Sequence, residues 1–386
     1  MEARIYADNY SQQFNTEGTF LEFLKDSDSR AIWKTIRTKA LRFKALEEGS
    51  RVTERLIEDY REQGKEGVLS DTIANTSLVL ETDGKYYPVR TCAIKTILER
   101  AQISGRALTK VPKKVLARML NDCMNVGQGN ALVKYLDDKI SAVHGGDETD
   151  YAVLELAELF RMTAEFLRDN FPGTEYKGGT FDHSLVSAIW ELKNNDALVE
   201  AYHDSLERHG ISAETITPSV RLASSDVGIS GANLYPQLLT GGGRIIPLGS
   251  PLKLEHKRGA TLGDFEKKLN MLYSQYQNAL KKLTGLLDVY IHNPVNTMIG
   301  VMKKIGIPKG LGMEAVELFK VQFGTAPCSA HDIYYGIAEV IYMVQANGKA
   351  DKKTTLGVKV MQMEENVMRA LNVHWKEYDI PGDIRW

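Results

Sequence analysis

Two strongly periodic helical segments bracket a long run of strand-forming sequence, and this arrangement does most to limit the fold. Residues 150–171, "DYAVLELAELFRMTAEFLRDNF", keep apolar side chains on one face and stop before Pro172-Gly173. Residues 261–291 open on Thr261 with Asp264 three positions later, the pattern of a capping box, and carry Leu262, Phe265, Leu269, Leu272, Tyr276, Leu280 and Leu283 at helical spacing. Between them "HSLVSAIWELK", "TPSVRLASS" and "GANLYPQLLTGGGRIIPLGSPLKLEH" read as strands. One helix interrupts them, with Asp196 able to cap it and Gly210 able to end it in a left-handed conformation. Strands grouped between helices, without strict strand-helix alternation, predict an α+β fold: an antiparallel sheet core flanked by helices.

The flanks divide the chain into three regions. Residues 1–92 predict a helical and hairpin region, in which Trp33, Ile36, Leu41 and Phe43 form an imperfect helical stripe and Asp83-Gly84 turns a hairpin beside Tyr86, Tyr87 and Val89. Residues 93–291 form the α+β core, which also holds a helix opened by Pro112, with Val115, Leu116, Met119 and Leu120 on one face, and a strand in "DDKISAVHGG". Residues 292–386 read as all-helical: Asn293-Pro294 opens one helix, Asn347-Gly348 closes another, and "KEYDIPGDIRW" is a short acidic and aromatic tail.

The stretch "LLTGGGRIIPLGSPLKLEHKRG" concentrates three glycines and a run of bases. A phosphate-binding loop leads into a helix and carries Lys-Ser or Lys-Thr, whereas Gly241, Gly242 and Gly243 lead into the strand-like Arg244-Ile245-Ile246. The remaining reading is a hairpin turn feeding a basic strand. Residues 240–290 hold eight Lys and Arg against four Asp and Glu, a local +4 in a chain of formal charge −2. Arg244, Lys253, His256, Lys257 and Arg258 are therefore the candidate phosphate contacts, beside side-chain-free glycines that permit close approach. Lys113 and Lys114 form a second candidate group with Arg106 and Lys110: positive charge at the start of a helix opposes its dipole and gains from an external anion.

Other chemistries find little support. Cys92, Cys123 and Cys328 are far apart and odd in number, which predicts free thiols, and no His or Cys pair has metal-ligand spacing, so neither a metal nor another cofactor is expected. Asp182, His183 and Ser184 are adjacent and alternate faces on a strand, so they cannot converge as a triad. "SSDVG" lacks the nucleophile elbow, and the acidic clusters lack the spacing of a calcium loop, so no catalytic residues are assigned. With no apolar run of about 20 residues and no secretory leader in "MEARIYADNYSQQFNTEG", a cytoplasmic location away from membranes is expected.

Two stretches together, "KISAVHGGDETDYAVLELAELF" and "RLASSDVGISGANLYPQLLTGGGRIIPLGSPLKLEHKRG", resemble the phage/plasmid-like protein family. The likeness rests on Ser141-Ala142-Val143-His144, Tyr151, Leu154 and Glu158-Leu159, on Ser225-Asp226-Val227-Gly228 with Ser230, and on the glycine loop preceding His256. The chain departs from the family at Leu239-Thr240-Gly241-Gly242-Gly243, where members often carry Cys-Thr-Asn-Gly. The resemblance implies a prophage or plasmid setting and no agreed activity. The order of elements is similar, more distantly, to phage single-strand annealing proteins. That likeness implies a non-enzymatic, homo-oligomeric protein that binds single-stranded DNA in recombination or replication, with a host or phage replication protein as a possible partner. The alternative is a protein-interaction module of a mobile element, anti-defence or host-takeover, working through the Met-rich helix "VMQMEENVM" and the tail.

Overall fold

The structure is a computed structural model that describes residues 4–148, 150–212, 216–257, 259–349, 354–382 and 384–386. Its centre is a seven-stranded sheet running Ser11–Phe14, Thr174–Asp182, Val186–Leu192, Thr217–Ser224 and Ala232–Leu239. The short strands Ile245–Pro247 and Leu252–Leu254 both pair with Ala232–Leu239, and every pairing in the sheet is antiparallel. The fold is α+β, as the grouping of strands predicts.

Both faces of this sheet are covered. Val220, Leu222, Leu234 and Leu238 point into the main core with Leu159, Phe160 and Leu167 of the helix Leu156–Asn170, and with Tyr276 and Leu280 of the helix Leu272–Gly285. The alternate positions Ala223 and Tyr235 meet Val358, Met361 and Met368 of the helix Leu356–Arg369 on the opposite face. Period-two alternation therefore sorts one apolar set toward each helical layer. The N-terminal part and the C-terminal helices share the main core: Phe14, Phe20 and Leu24 bury in the same cluster as Met298, Phe319 and Ile337.

A second core lies beside the first. Ile32–Arg37, Asn130–Leu136 and Lys139–Gly145 form one three-stranded antiparallel sheet, and Arg42–Ala45, Leu78–Thr82 and Lys85–Pro88 form another. The helices Ala93–Arg100 and Lys113–Val126 supply Ile97, Leu116 and Leu120 to the cluster between them. This corrects the helical expectation for residues 32–45. Trp33 and Ile36 fit a helical spacing, but they belong to an edge strand whose partner, 130–136, lies about a hundred positions later in the chain. Ile32, Thr35 and Ile36 are β-branched, and tertiary pairing brings out that local preference.

The turn and cap chemistry is as the residues predict, except that the helix Asp196–Arg208 takes Asn195 as its N-cap, so Asp196 is its first residue and does not cap it. Asp83 and Gly84 have φ of 51° and 72°, the paired left-handed conformation of a type I′ hairpin turn. Thr261 and Asp264 make both hydrogen bonds of a capping box. Pro294 opens the helix Pro294–Ile305, and the helix Ala330–Asn347 ends before Gly348. The tail does not project. Asp379 accepts hydrogen bonds from the backbone N–H of His292 and Asn293, at 3.0 and 2.7 Å, and a Cβ at Gly312 would fall on the Trp386 ring. Among the described residues no helix is long and apolar enough to cross a membrane.

Candidate functional site

The glycine loop is a hairpin turn. Thr240 N–H donates to the Arg244 carbonyl at 3.0 Å, Gly243 N–H donates to the Thr240 carbonyl at 2.8 Å, and Gly243 has φ +73°. The bases that follow do not gather around it. Lys253 stands opposite Asn233 and Ile245 opposite Leu239, so Arg244 and Lys253 flank opposite ends of one strand. Six residues of strand put them about 20 Å apart. The Arg244 Nε lies 2.6 Å from a Glu339 carboxylate oxygen, and its guanidinium lies 5.0 Å from the Tyr342 ring centroid. Lys257 is exposed, with Glu255 at 3.4 Å, and Arg258 lies outside the described residues.

His256 is not at the surface. It is 5% exposed, its Nδ1 lies 3.1 Å from the Ala152 carbonyl, and its Nε2 lies 3.4 Å from Ser224 Oγ. Tyr151 stacks on it at 5.3 Å and 4°, and His144 stacks on Tyr151 at 3.7 Å and 6°. His144 Nε2 meets the Asp226 carbonyl at 2.9 Å, while the Asp226 carboxylate pairs with Lys134. Residues far apart in the chain, His144, Tyr151 and His256, thus converge on one ring stack, with the Asp226 carbonyl at its edge.

Burial keeps both imidazoles neutral, lowering His144 to about 4 and shifting His256 in the same direction. The neighbouring Asp28 is raised to about 6, chiefly by burial, against a hydrogen bond from the Ala157 N–H. The space beside Ser224, Ser225 and Asp226 is about 10 Å³, room for one water. His256, 5% exposed and with both ring nitrogens beside protein atoms, is not a surface phosphate contact.

No protein family, curated protein or solved structure matches the chain.

The second basic group has a different setting. The helix Lys113–Val126 lies against residues 38–47: Asn121 donates to the Phe43 carbonyl at 2.9 Å and accepts from the Phe43 N–H at 2.7 Å, and Lys114 pairs with Glu47 at 3.1 Å. At the far end of the helix, Arg100 Nε donates to Thr38 Oγ1 at 2.9 Å and Arg100 Nη2 to the Gln128 carbonyl. Arg37, Lys39, Arg106, Lys110, Lys114 and Arg118 are exposed around this junction, and Lys113 is half-buried. Residues 37–48 and 99–122 together hold ten Lys and Arg against four Asp and Glu, a local +6. Lys114 and Arg118, four residues apart, share one helix face.

Arg37, Lys39, Arg42, Arg100 and Arg118 are the bases near this junction that sequence reading misses. Their neighbourhood depends on the strands 32–37 and 42–45, which periodicity assigns to helix. Among the described residues no His, Cys, Asp and Glu side chains gather as a metal-holding group, and the three cysteines form no disulfide.

Proposed function

We propose that the protein binds nucleic acid and does no chemistry on it, receiving the phosphate backbone on the face built from residues 37–44, Arg100 and the helix Lys113–Val126. The observation that carries this reading is the set of exposed bases Arg37, Lys39, Arg106, Lys110, Lys114 and Arg118, brought by two stretches that hold ten Lys and Arg against four Asp and Glu in a chain whose overall charge is −2. Such a local field attracts a polyanion, and each Lys or Arg laid on a phosphate releases condensed counterion. Single-stranded DNA is the form, and a phage or other mobile element the setting, that the motif resemblance and element order imply. The same reading puts the protein in the cytoplasm as a homo-oligomer.

Fluorescence anisotropy with a labelled single-stranded oligonucleotide tests it. A face of about five phosphate contacts gives a log–log salt slope near −3.5, so affinity falls about 100-fold between roughly 50 and 200 mM salt. Lys114→Ala/Arg118→Ala flattens that slope by about 1.4. Absence of binding at the lower salt removes the reading. The segments that suggest the protein-interaction alternative are partly committed to the fold, since Met361, Met363 and Met368 are buried and Asp379 and Ile380 are hydrogen-bonded to Asn293 and Asn296, while Ile380 itself stays exposed.

A further inference from the structure

The three-stranded sheet of Ile32–Arg37, Asn130–Leu136 and Lys139–Gly145 has one closed edge and one open edge. Along Lys139–Gly145 outer groups are taken: the Arg90 N–H donates to the Ile140 carbonyl at 2.9 Å, and the Val143 N–H donates to Thr96 Oγ1 at 2.9 Å. Along Ile32–Arg37, among the described residues, backbone groups bond only within the strand pair. Ile32 is 55% exposed, and Lys34, Thr35 and Arg37 are exposed as well. Neither proline nor bulge interrupts this strand, so it offers a template on which another strand can pair. Lys34 is a charge that blunts such an edge, and Asp83 lies 3.9 Å from its Nζ.

The ladder decides which groups face the open side. The Thr38 N–H donates to the Gly129 carbonyl at 3.2 Å, one position beyond the pairing of Arg37 with Asn130. Bonded and unbonded pairs alternate in an antiparallel ladder, so Ile36, Lys34 and Ile32 bond to Ala131, Val133 and Tyr135. Trp33, Thr35 and Arg37 therefore turn their N–H and C=O groups outward. A strand that uses all of them must offer outward residues at the same spacing. The same strand of a second copy does so when the two run antiparallel about a twofold axis through Thr35. Trp33 then stands opposite Arg37 of the second copy and Thr35 opposite its own counterpart, with two backbone hydrogen bonds in each pair. Any other register loses at least one of these pairs.

The side chains agree with that register. Lys134 Nζ already lies 5.6 Å from the Trp33 ring centroid on the inner side, and Arg37 of the second copy comes to the same ring from the outer side. Thr35 meets a second threonine, a favourable cross-strand pair, and no like charges stand directly opposed.

We propose that the protein self-associates through Ile32–Arg37, pairing antiparallel with the same strand of a second copy and joining two three-stranded sheets into one. The homo-oligomer of the preceding section thereby gains a defined contact, one that needs no nucleic acid. The two Arg37 positions lie about 14 Å apart along the paired strands, so the basic residues of both copies flank the contact. It is a small contact, and the association is weak and reversible.

Sedimentation velocity over a hundredfold range of concentration, beside mild oxidation of cysteine variants, tests the inference. Thr35→Pro is the first variant: an outward N–H is unpaired in the single copy, so an edge proline is tolerated there, yet it removes a donor from the central pair. The second is Thr35→Cys in a Cys123→Ser/Cys328→Ser background, with Lys34→Cys in the same background as control. Two opposed Thr35 Cα atoms come about 5.5 Å apart, within disulfide reach, whereas two Lys34 Cα atoms stay about 8 Å apart. The expected results are a concentration-dependent dimer that Thr35→Pro weakens at least tenfold, and a disulfide-linked dimer that forms at least tenfold faster from Thr35→Cys than from Lys34→Cys. A chain that stays monomeric across the range and gives no linked Thr35→Cys dimer overturns the inference. So does a dimer undiminished in folded Thr35→Pro, or one that links equally at Lys34→Cys; should Thr35→Pro not fold, the cysteine variants decide. Oligonucleotide anisotropy is read separately. A dimer that binds no oligonucleotide keeps this contact and removes the phosphate-face reading, and a monomer whose binding depends on Lys114 and Arg118 does the reverse.

Discussion

Arg221, on the strand Thr217–Ser224, and Glu364, on the helix Leu356–Arg369, form a buried ion pair, and splitting it is expected to be asymmetric, because only one partner can discharge itself. Glu364→Leu leaves a guanidinium that stays charged at any working pH, buried at 3% exposure under the Tyr235 ring at 4.5 Å. An uncompensated buried charge of this kind costs about 3–5 kcal/mol. Arg221→Met leaves a carboxyl group that can take up a proton. Burial already holds Glu364 at about 7 despite the opposing Arg221, and removing that charge raises it further. At pH 6 the neutral acid therefore remains, and the loss is about 1–2 kcal/mol of packing and cation–π contact.

The sign with pH follows from proton binding. Glu364 holds its proton more tightly folded than unfolded, where its pKa is near 4.5, so stability is greatest below that value and declines as pH rises to about 7. In Arg221→Met the decline continues above pH 7, at up to about 1.4 kcal/mol per pH unit. Arg221→Met/Glu364→Leu regains wild-type stability or exceeds it by about 1–4 kcal/mol. Equilibrium urea unfolding of the four proteins at pH 6 and pH 8 measures all of this. Equal losses for the two single variants at both pH values, or a double variant no more stable than Glu364→Leu, would refute the reasoning.

Three further outcomes are expected. Tyr151 Oη is buried without a partner among the described residues, so Tyr151→Phe leaves the melting temperature unchanged or raises it; a loss above about 1 kcal/mol contradicts that placement. Gly243→Val forces a β-branched residue to φ +73° and destabilises the hairpin by about 1–2 kcal/mol in thermal unfolding, while oligonucleotide affinity is retained. Lys253→Ala/Lys257→Ala changes oligonucleotide affinity by less than about twofold, since those residues lie apart from the second basic group, and a larger loss in anisotropy returns the phosphate contact to the glycine-loop segment.

Local chemistry by itself determined a good part of this protein. The Asp83-Gly84 turn, the Thr261–Asp264 box, Pro294 at a helix start and the glycine hairpin before Arg244 are each decided by a few neighbouring residues, whose φ preferences and hydrogen-bonding groups act within one turn of chain. The grouping of strands between amphipathic helices likewise settled the α+β class.

Pairing over long sequence distances lay beyond such reading. Residues 32–37 became a strand because 130–136 came to lie beside them, and the chain that follows, 38–47, then lies along the helix that carries Lys114 and Arg118. His256 sits among bases in the sequence but under Tyr151 in the fold, where burial keeps it neutral. Arg221 is one polar residue in a strand pattern, and Glu364 one charge on a Met-rich helix; only the packing of that helix on the sheet makes them a buried pair. Charge and burial depend on what comes close in space, and proximity of residues a hundred positions apart is a property of the assembled core, not of any local stretch.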